Sequence, residues 1–402
     1  MLLYNKMSSN TDTINNLANS IKNNPTAQKY MSRLDESRAK MLKFINENKQ
    51  KVIIGTIVSI ILLFYFIVIF RRIDRYLSRM DRVFGGISDV QPLQYNRKVM
   101  AGNFKLCDFW VACSYKSYLP CTNYYDYSSS ESIKKAIIYG ARYIDLDIMN
   151  KGFATCTEPV VCQGDEVGNW HYTTRTPFSE CIDVIVRYAF SGKIKNGTDP
   201  FFLNLNFKTW YNKTTIDKCA EIIKGALSNK FLGQDYSYQG KYSGKNLATT
   251  EIKELLGKLI IVSPNKLEGT AMDEIVNLNP YAGSNTRVLT YDKVKESYDP
   301  KELAEYNKKN LTFVYPNFKD RKKENFNFYT PYYLGCQFIC MNYTEPDDWM
   351  KQYITNFAGC SLILKPYKLR YHPKTIKQPL EQTKKVSFAP RKVSTPYYSI
   401  TY

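Results

Sequence analysis

The sequence predicts an α/β chain, a distorted TIM-type (β/α)8 barrel preceded by a single transmembrane helix. Three observations carry this. Short apolar strand-like runs alternate with amphipathic helical stretches over residues 101–370, the length of one such barrel. One uncharged apolar run lies ahead of them. The net charge of +19 is concentrated outside the alternating region.

The charge is read first because it bounds the partners. Met1–Lys51 carries nine basic and four acidic residues, Arg71–Met100 seven and three, and Tyr371–Tyr402 six and one. Residues 101–370 hold only +5. A nucleic-acid binder wants its basic residues on one face of a fold, so nucleic acid is an unlikely partner. With 44% hydrophobic residues, the chain has the material for a core, which excludes wholesale disorder.

Val52–Phe70 reads VIIGTIVSIILLFYFIVIF, with no charge and no Pro. At about 1.5 Å per residue it spans about 28 Å, one hydrocarbon core. It is apolar all round, unlike a surface helix. Basic residues flank it equally: Arg38, Lys40, Lys43, Lys49 and Lys51 before, Arg71, Arg72, Arg75, Arg79 and Arg82 after. Topology therefore stays open, with the compact arginine cluster leaning toward a cytosolic C-terminal side. Tyr30, Leu34, Met41 and Ile45 share a helical face before the span. Ile73, Tyr76, Leu77, Met80 and Val83 continue a helical pattern after it, up to Gly85-Gly86.

Strands are expected at Tyr143–Ile148, Phe201–Asn206, Leu259–Ser263, Thr312–Tyr315, Gln337–Asn342 and Ser361–Lys365. Helices are expected at Ser130–Tyr139, Ser179–Phe190, Thr215–Leu227 and Lys301–Lys308. The chain divides into a flexible or helical start (1–51), the span (52–70), a juxtamembrane helix and linker (71–99), a first half-barrel (100–266), an insert (267–300), a second half-barrel (301–370) and a disordered basic tail (371–402). All ten cysteines lie between Cys107 and Cys360 without a C-x-x-C pair, which excludes a zinc ribbon. They read as disulfides outside a cell or buried thiols inside one. Sequons at Asn196, Asn212, Asn310 and Asn342 leave the compartment equally open.

The motifs have a family likeness. Cys113–Leu119 (CSYKSYL) matches S-S-H-N-T-Y-L, and Ile133–Met149 contains a helix, a Gly-x-Arg turn and an acidic strand. Pro159–Gly164 (PVVCQG) matches P-V-V-Y-H-G. Phe202–Asn206 and Gly257–Ile260 match I-L-S-L-E and G-K-I-L. Gly335-Cys336-Gln337 with Met341–Thr344, then Gly359-Cys360 with Leu364-Lys365-Pro366, supply a second region. In this order residues 100–370 resemble the X and Y regions of phosphoinositide-specific phospholipase C. The resemblance implies a distorted TIM barrel that cleaves a phosphodiester with two histidines and a calcium ion.

The residues that do that work in the family are replaced. Its histidines fall on Tyr115 and Gln163; glutamine moves no proton, and a tyrosine of pKa near 10 is a poor base at neutral pH. The calcium-binding Asn falls on Lys116. Asp145 and Asp147 keep two carboxylates on one side of a strand, and the third becomes Asn206. The expectation is that the calcium site is lost, no cofactor is bound, and Lys116 pairs with the two aspartates. His171, in an insertion, is a candidate substitute proton carrier, with Tyr115 the other. Lys258, Lys266 and Arg321 are candidates for anionic or inositol phospholipid headgroups. In the tail, Lys385, Val386 and Phe388 within Lys384–Ala389 (KKVSFA) are similar to the RVxF motif that docks on protein phosphatase 1 by strand addition. The function expected is a membrane-anchored, catalytically silent phospholipase C-like barrel serving interaction, structure or headgroup binding. The alternative is an active phosphoric diester hydrolase with rearranged residues.

Overall fold

The computed structural model describes residues 25–87, 90–120, 127–152, 156–164, 174–210, 212–236, 245–280, 285–317, 324–372 and 390–402. His171, Arg321, Lys385, Val386 and Phe388 lie outside them. The chain forms two units, Met1–Asp74 and Arg75–Tyr402.

In the first unit, the helix Pro25–Glu47 presents Tyr30, Leu34 and Met41 to the surface. The next helix starts at Lys49. Its stretch Lys49–Val68 is strongly apolar and none of it is buried, so its length and composition suit a membrane crossing.

The second unit is built on one curled sheet. Its strands are β1 (Phe109–Ser114), β2 (Tyr143–Asn150), β3 (Pro159–Val161), β4 (Thr176–Pro177), β5 (Phe201–Phe207), β6 (Leu259–Val262), β7 (Thr286–Thr290), β8 (Leu311–Tyr315), β9 (Phe338–Met341) and β10 (Leu362–Leu364). Seven of them run parallel in the order β6-β5-β2-β1-β9-β8-β7. Neighbours in space follow the order of the chain, with β9 closing back onto β1. That is the strand order of a distorted TIM barrel, with seven parallel strands among the described residues where the ideal has eight. It is distorted at one place: among the described residues β6 and β7 share no ladder, and Leu278 makes an isolated parallel bridge to Val262.

The interior explains the strand pattern. Alternate residues Phe109, Val111 and Cys113 of β1, Tyr143 of β2, Phe202 of β5, Ile260 and Val262 of β6, Leu311 and Phe313 of β8, and Phe338 and Cys340 of β9 belong to one buried cluster. Phe313 stacks on Phe338 with centroids 4.4 Å apart. The barrel is thus filled by side chains at period two. The opposite face of the strands meets helices such as Ser130–Ile138, Phe178–Ala189 and Lys213–Leu227. Asn212 caps the last of these by accepting from Thr215 N (3.3 Å), and Asp347 caps Asp348–Phe357 by accepting from Met350 N (2.8 Å).

Buried polar groups tie the base of the barrel together. Arg142, of the Gly-x-Arg turn, is fully buried and donates to the carbonyls of Ala189 and Asn196 near Asp199. Gln337 donates to the carbonyls of Cys107, Asn307 and Asn310 (3.1, 2.7 and 2.9 Å) and accepts from Thr312 N. The buried ammonium of Lys365 donates to the carbonyls of Cys107 (2.6 Å) and Asn307 (3.3 Å). At the start of this unit Leu77, Met80 and Phe84 are buried, and Asp81 accepts from Lys135 (2.6 Å).

Three expectations need correction. Segment 267–300 is not simply an insert: β7 lies in it and pairs in parallel with β8 over five residues. Its sequence, TRVLT, is only half-buried, so no long apolar run announced it. Ser361–Lys365 does yield a strand, but β10 runs antiparallel to β1 and outside the parallel ring. The end of the tail is ordered as a hairpin, with Lys392–Ser394 against Ser399–Thr401, because Pro396 and Tyr397 fall in the turn between two β-prone runs.

Candidate functional site

The period that fills the barrel also builds its mouth. One step beyond Cys113 on the same face comes Tyr115. Beyond Tyr143 come Asp145 and Asp147, beyond Phe202 come Asn204, Asn206 and Lys208, and beyond Phe313 comes Tyr315. The register pairs Asp145 with Asn204 and Asp147 with Asn206 across β2 and β5. These residues, with Lys116, Thr209, Trp210, Asn265 and Lys266, line a cavity of ≈ 480 Å³ at the C-terminal ends of the strands. That is the end of a TIM barrel where ligands are met.

Asp147 is the hub. It is buried, and its Oδ2 accepts from Lys208 Nζ (3.0 Å) and from the Tyr118 hydroxyl (2.9 Å). Its Oδ1 accepts from Asn206 Nδ2 (2.9 Å). Lys116 Nζ stands 4.0 Å from the same Oδ2. Lys208 also donates to the Gly164 carbonyl (2.9 Å). Burial would raise the Asp147 carboxyl, but Lys208 and Lys116 outweigh it and hold it below the usual range. Asp145 accepts from Asn204 Nδ2 (2.7 Å) and from the backbone N of Lys116 (3.1 Å). Burial, then the neighbouring Asp147 charge, push it up to about 6. Burial lowers Lys116, and Lys208 repels it further, while Asp147 and Asp145 pull the other way.

The positions that the resemblance assigns to histidines hold Tyr115 and Gln163. Tyr115 is half-buried against Tyr315 (ring centroids 5.9 Å), and burial raises its hydroxyl well above 10, helped by Asp145 and Asp147. Gln163 follows β3. Its amide oxygen is buried without a hydrogen-bond partner among the described residues. Lys266 lines the cavity, but Lys258 does not: it immediately precedes β6, at the N-terminal end of that strand and so at the opposite end of the barrel.

Sequence reasoning passed over Lys208, Asn204, Tyr118 and Trp210. The signal for Lys208 was present: Asn204, Asn206 and Lys208 follow Phe202 at period two. Tyr118 could not have been found, because its hydroxyl reaches Asp147 only through the turn after β1. Lys116 (φ +41°) and Trp210 (φ +52°) are the two non-glycine residues at positive φ among the described residues. Both line the mouth, where strained backbone tends to collect.

Does this site suit calcium? Calcium takes about six to eight oxygen ligands, with anionic ones favoured. Here both oxygens of each aspartate already have donors, two of the cavity's lysines face Asp147, and Asn206 turns its amide nitrogen to that carboxylate. Asn204 Oδ1 and Thr209 Oγ1 are buried without partners among the described residues, but they are neutral. The donor set does not fit the ion.

Residues 103–265 match the family described as phosphatidylinositol-specific phospholipase C, X domain. Through this stretch the chain is similar to the phosphoinositide-specific phospholipase C family. It is 29% identical over 147 residues to a beta-type 1-phosphatidylinositol 4,5-bisphosphate phosphodiesterase of Caenorhabditis elegans, covering 35% of this chain and 10% of that one. It is 22% identical over 314 residues to the delta-3-A phosphodiesterase of Danio rerio, covering 65% of this chain and 38% of that one. In structure it is similar to the PLC21 phospholipases of L. pealei and S. officinalis. Both superpose with a TM-score of 0.55, at 18% and 17% identity, over 68% and 69% of this chain and 38% and 39% of theirs. This phospholipase C-like barrel thus spans about two fifths or less of those relatives.

Proposed function

We propose that the protein is a membrane-anchored phospholipase C-like barrel that binds at its mouth without cleaving phosphodiesters. One observation carries the reading. The two positions where the family resemblance implies imidazoles hold Tyr115, whose hydroxyl is pushed well above 10, and Gln163, which does not titrate. General acid–base catalysis at neutral pH needs groups poised near 7, and its loss alone costs about a hundredfold to ten-thousandfold in rate.

The exposed apolar helix at Lys49–Val68 supports the anchor. Lys266, with the hydrogen-bonding capacity that Lys116 keeps toward the cavity, supports an anionic ligand such as a phosphorylated headgroup. The test is inositol phosphate release from vesicles containing phosphatidylinositol or its 4,5-bisphosphate, using the full chain in detergent. No release above background is expected with or without calcium. Turnover abolished by Tyr115→Phe or by His171→Ala would instead establish a rearranged hydrolase.

A further inference from the structure

We propose that Lys208, seconded by Lys116, is a tethered cation standing where the family resemblance implies calcium, so that the mouth is closed to divalent metal. The inference concerns ion binding and holds whether or not the barrel turns over.

The argument is one of charge and place. A site with two buried carboxylates on adjacent residues of one strand face must be neutralised. In a calcium-dependent barrel the ion supplies two positive charges. Here two ammonium groups supply the same sum from within the chain. Lys208 Nζ is 3.0 Å from Asp147 Oδ2 with its side chain 11% exposed, and Lys116 Nζ is 4.0 Å away at 19% exposed. Lys208 is also fixed from its other side by the Gly164 carbonyl, beside the Gln163 position.

The backbone takes part. Lys116 adopts φ +41° and in that conformation donates its N–H to Asp145 Oδ2. One residue thus serves both carboxylates, the first through its main chain and the second through its ammonium. The geometry also ranks the two lysines. Lys208 is the committed counter-ion, while Lys116, at longer range and more exposed, keeps hydrogen-bonding capacity toward the cavity.

The experiment is a calcium titration of the full chain in detergent, read by calorimetry and by melting temperature. The wild type should show no saturable calcium heat and no melting shift up to about 10 mM, a concentration that would populate even a weak extracellular-type site. Lys208→Met and Lys116→Met/Lys208→Met, which keep the stems and remove the charges, should each melt lower than wild type. Each should recover by several degrees in calcium, with one-to-one binding. Lys208→Arg, which keeps the charge, should not respond. Saturable one-to-one calcium binding by the wild type would overturn the proposal. So would folded Lys208→Met and double variants that calcium leaves unchanged. If the double variant does not fold, the single variant decides.

Discussion

Replacing Asp147 with asparagine tests the site most directly. The change keeps the shape, but its single amide oxygen can accept from only one side of the former carboxylate, where Tyr118 and Asn206 donate to opposite oxygens, and it leaves Lys208 and Lys116 without their shared anionic partner. At an effective dielectric near 20, unit charges 3.0 and 4.0 Å apart attract by about 5 and about 4 kcal/mol, before desolvation is set against them. Removing one member of a buried ion pair costs about 3–5 kcal/mol, because the remaining charge stays desolvated. For a unit of this size each kcal/mol is about 2–4 °C, so the melting temperature should fall by roughly 10 °C. Urea unfolding followed by tryptophan fluorescence gives the free energy. The triple variant Lys116→Met/Asp147→Leu/Lys208→Met, with the charges removed together, should lie much closer to wild type. A loss below about 1 kcal/mol for Asp147→Asn would refute the reasoning, since exposed pairs contribute only that much.

Three further outcomes are expected. The ammonium of Lys365 is lowered to about 8 by burial, below its unfolded value of about 10.5; the unfolded chain then binds more protons between those values, so this group makes stability rise from pH 8 toward 10.5, by about 3 kcal/mol at most. Urea midpoints against pH should show that rise in wild type and not in Lys365→Met. Trp210→Gly should relieve a strained backbone at an exposed position and stabilise by about 1 kcal/mol, which a melting scan would read; a loss of stability would mean that the indole packs more than its exposure implies. Peptide mapping of folded chain from a secreting host should find no glycan on Asn196 or Asn342, since both side chains are buried and hydrogen-bonded.

Much of the fold was legible because apolar periodicity is local. Phe201–Phe207 and Leu259–Val262 are buried on both faces, and their apolar runs read directly as interior strands. β1 was less legible because its CS end merges with the motif that follows, and β7 because its half-buried sequence has no apolar run. The mouth was legible where a motif placed it, at Tyr115, Lys116, Asp145, Asp147 and Asn206.

Lys208 belongs to the site because β5 lies in register beside β2, and register is a property of strands far apart in the chain. The same holds for Lys258, whose place at the far end of its strand follows from strand direction.

By itself, then, the sequence determined the class of fold, the apolar helix, the tyrosine and glutamine that stand where the resemblance implies imidazoles, and the presence of a lysine among the acidic residues of the mouth. All of these are written in residue identity and short-range period. Only the tertiary structure decided which cation holds Asp147, which sequons are buried, and which lysines share the cavity. Those depend on which strands become neighbours and on which ends of them come together, and parallel pairing across long crossovers leaves no mark in the local pattern.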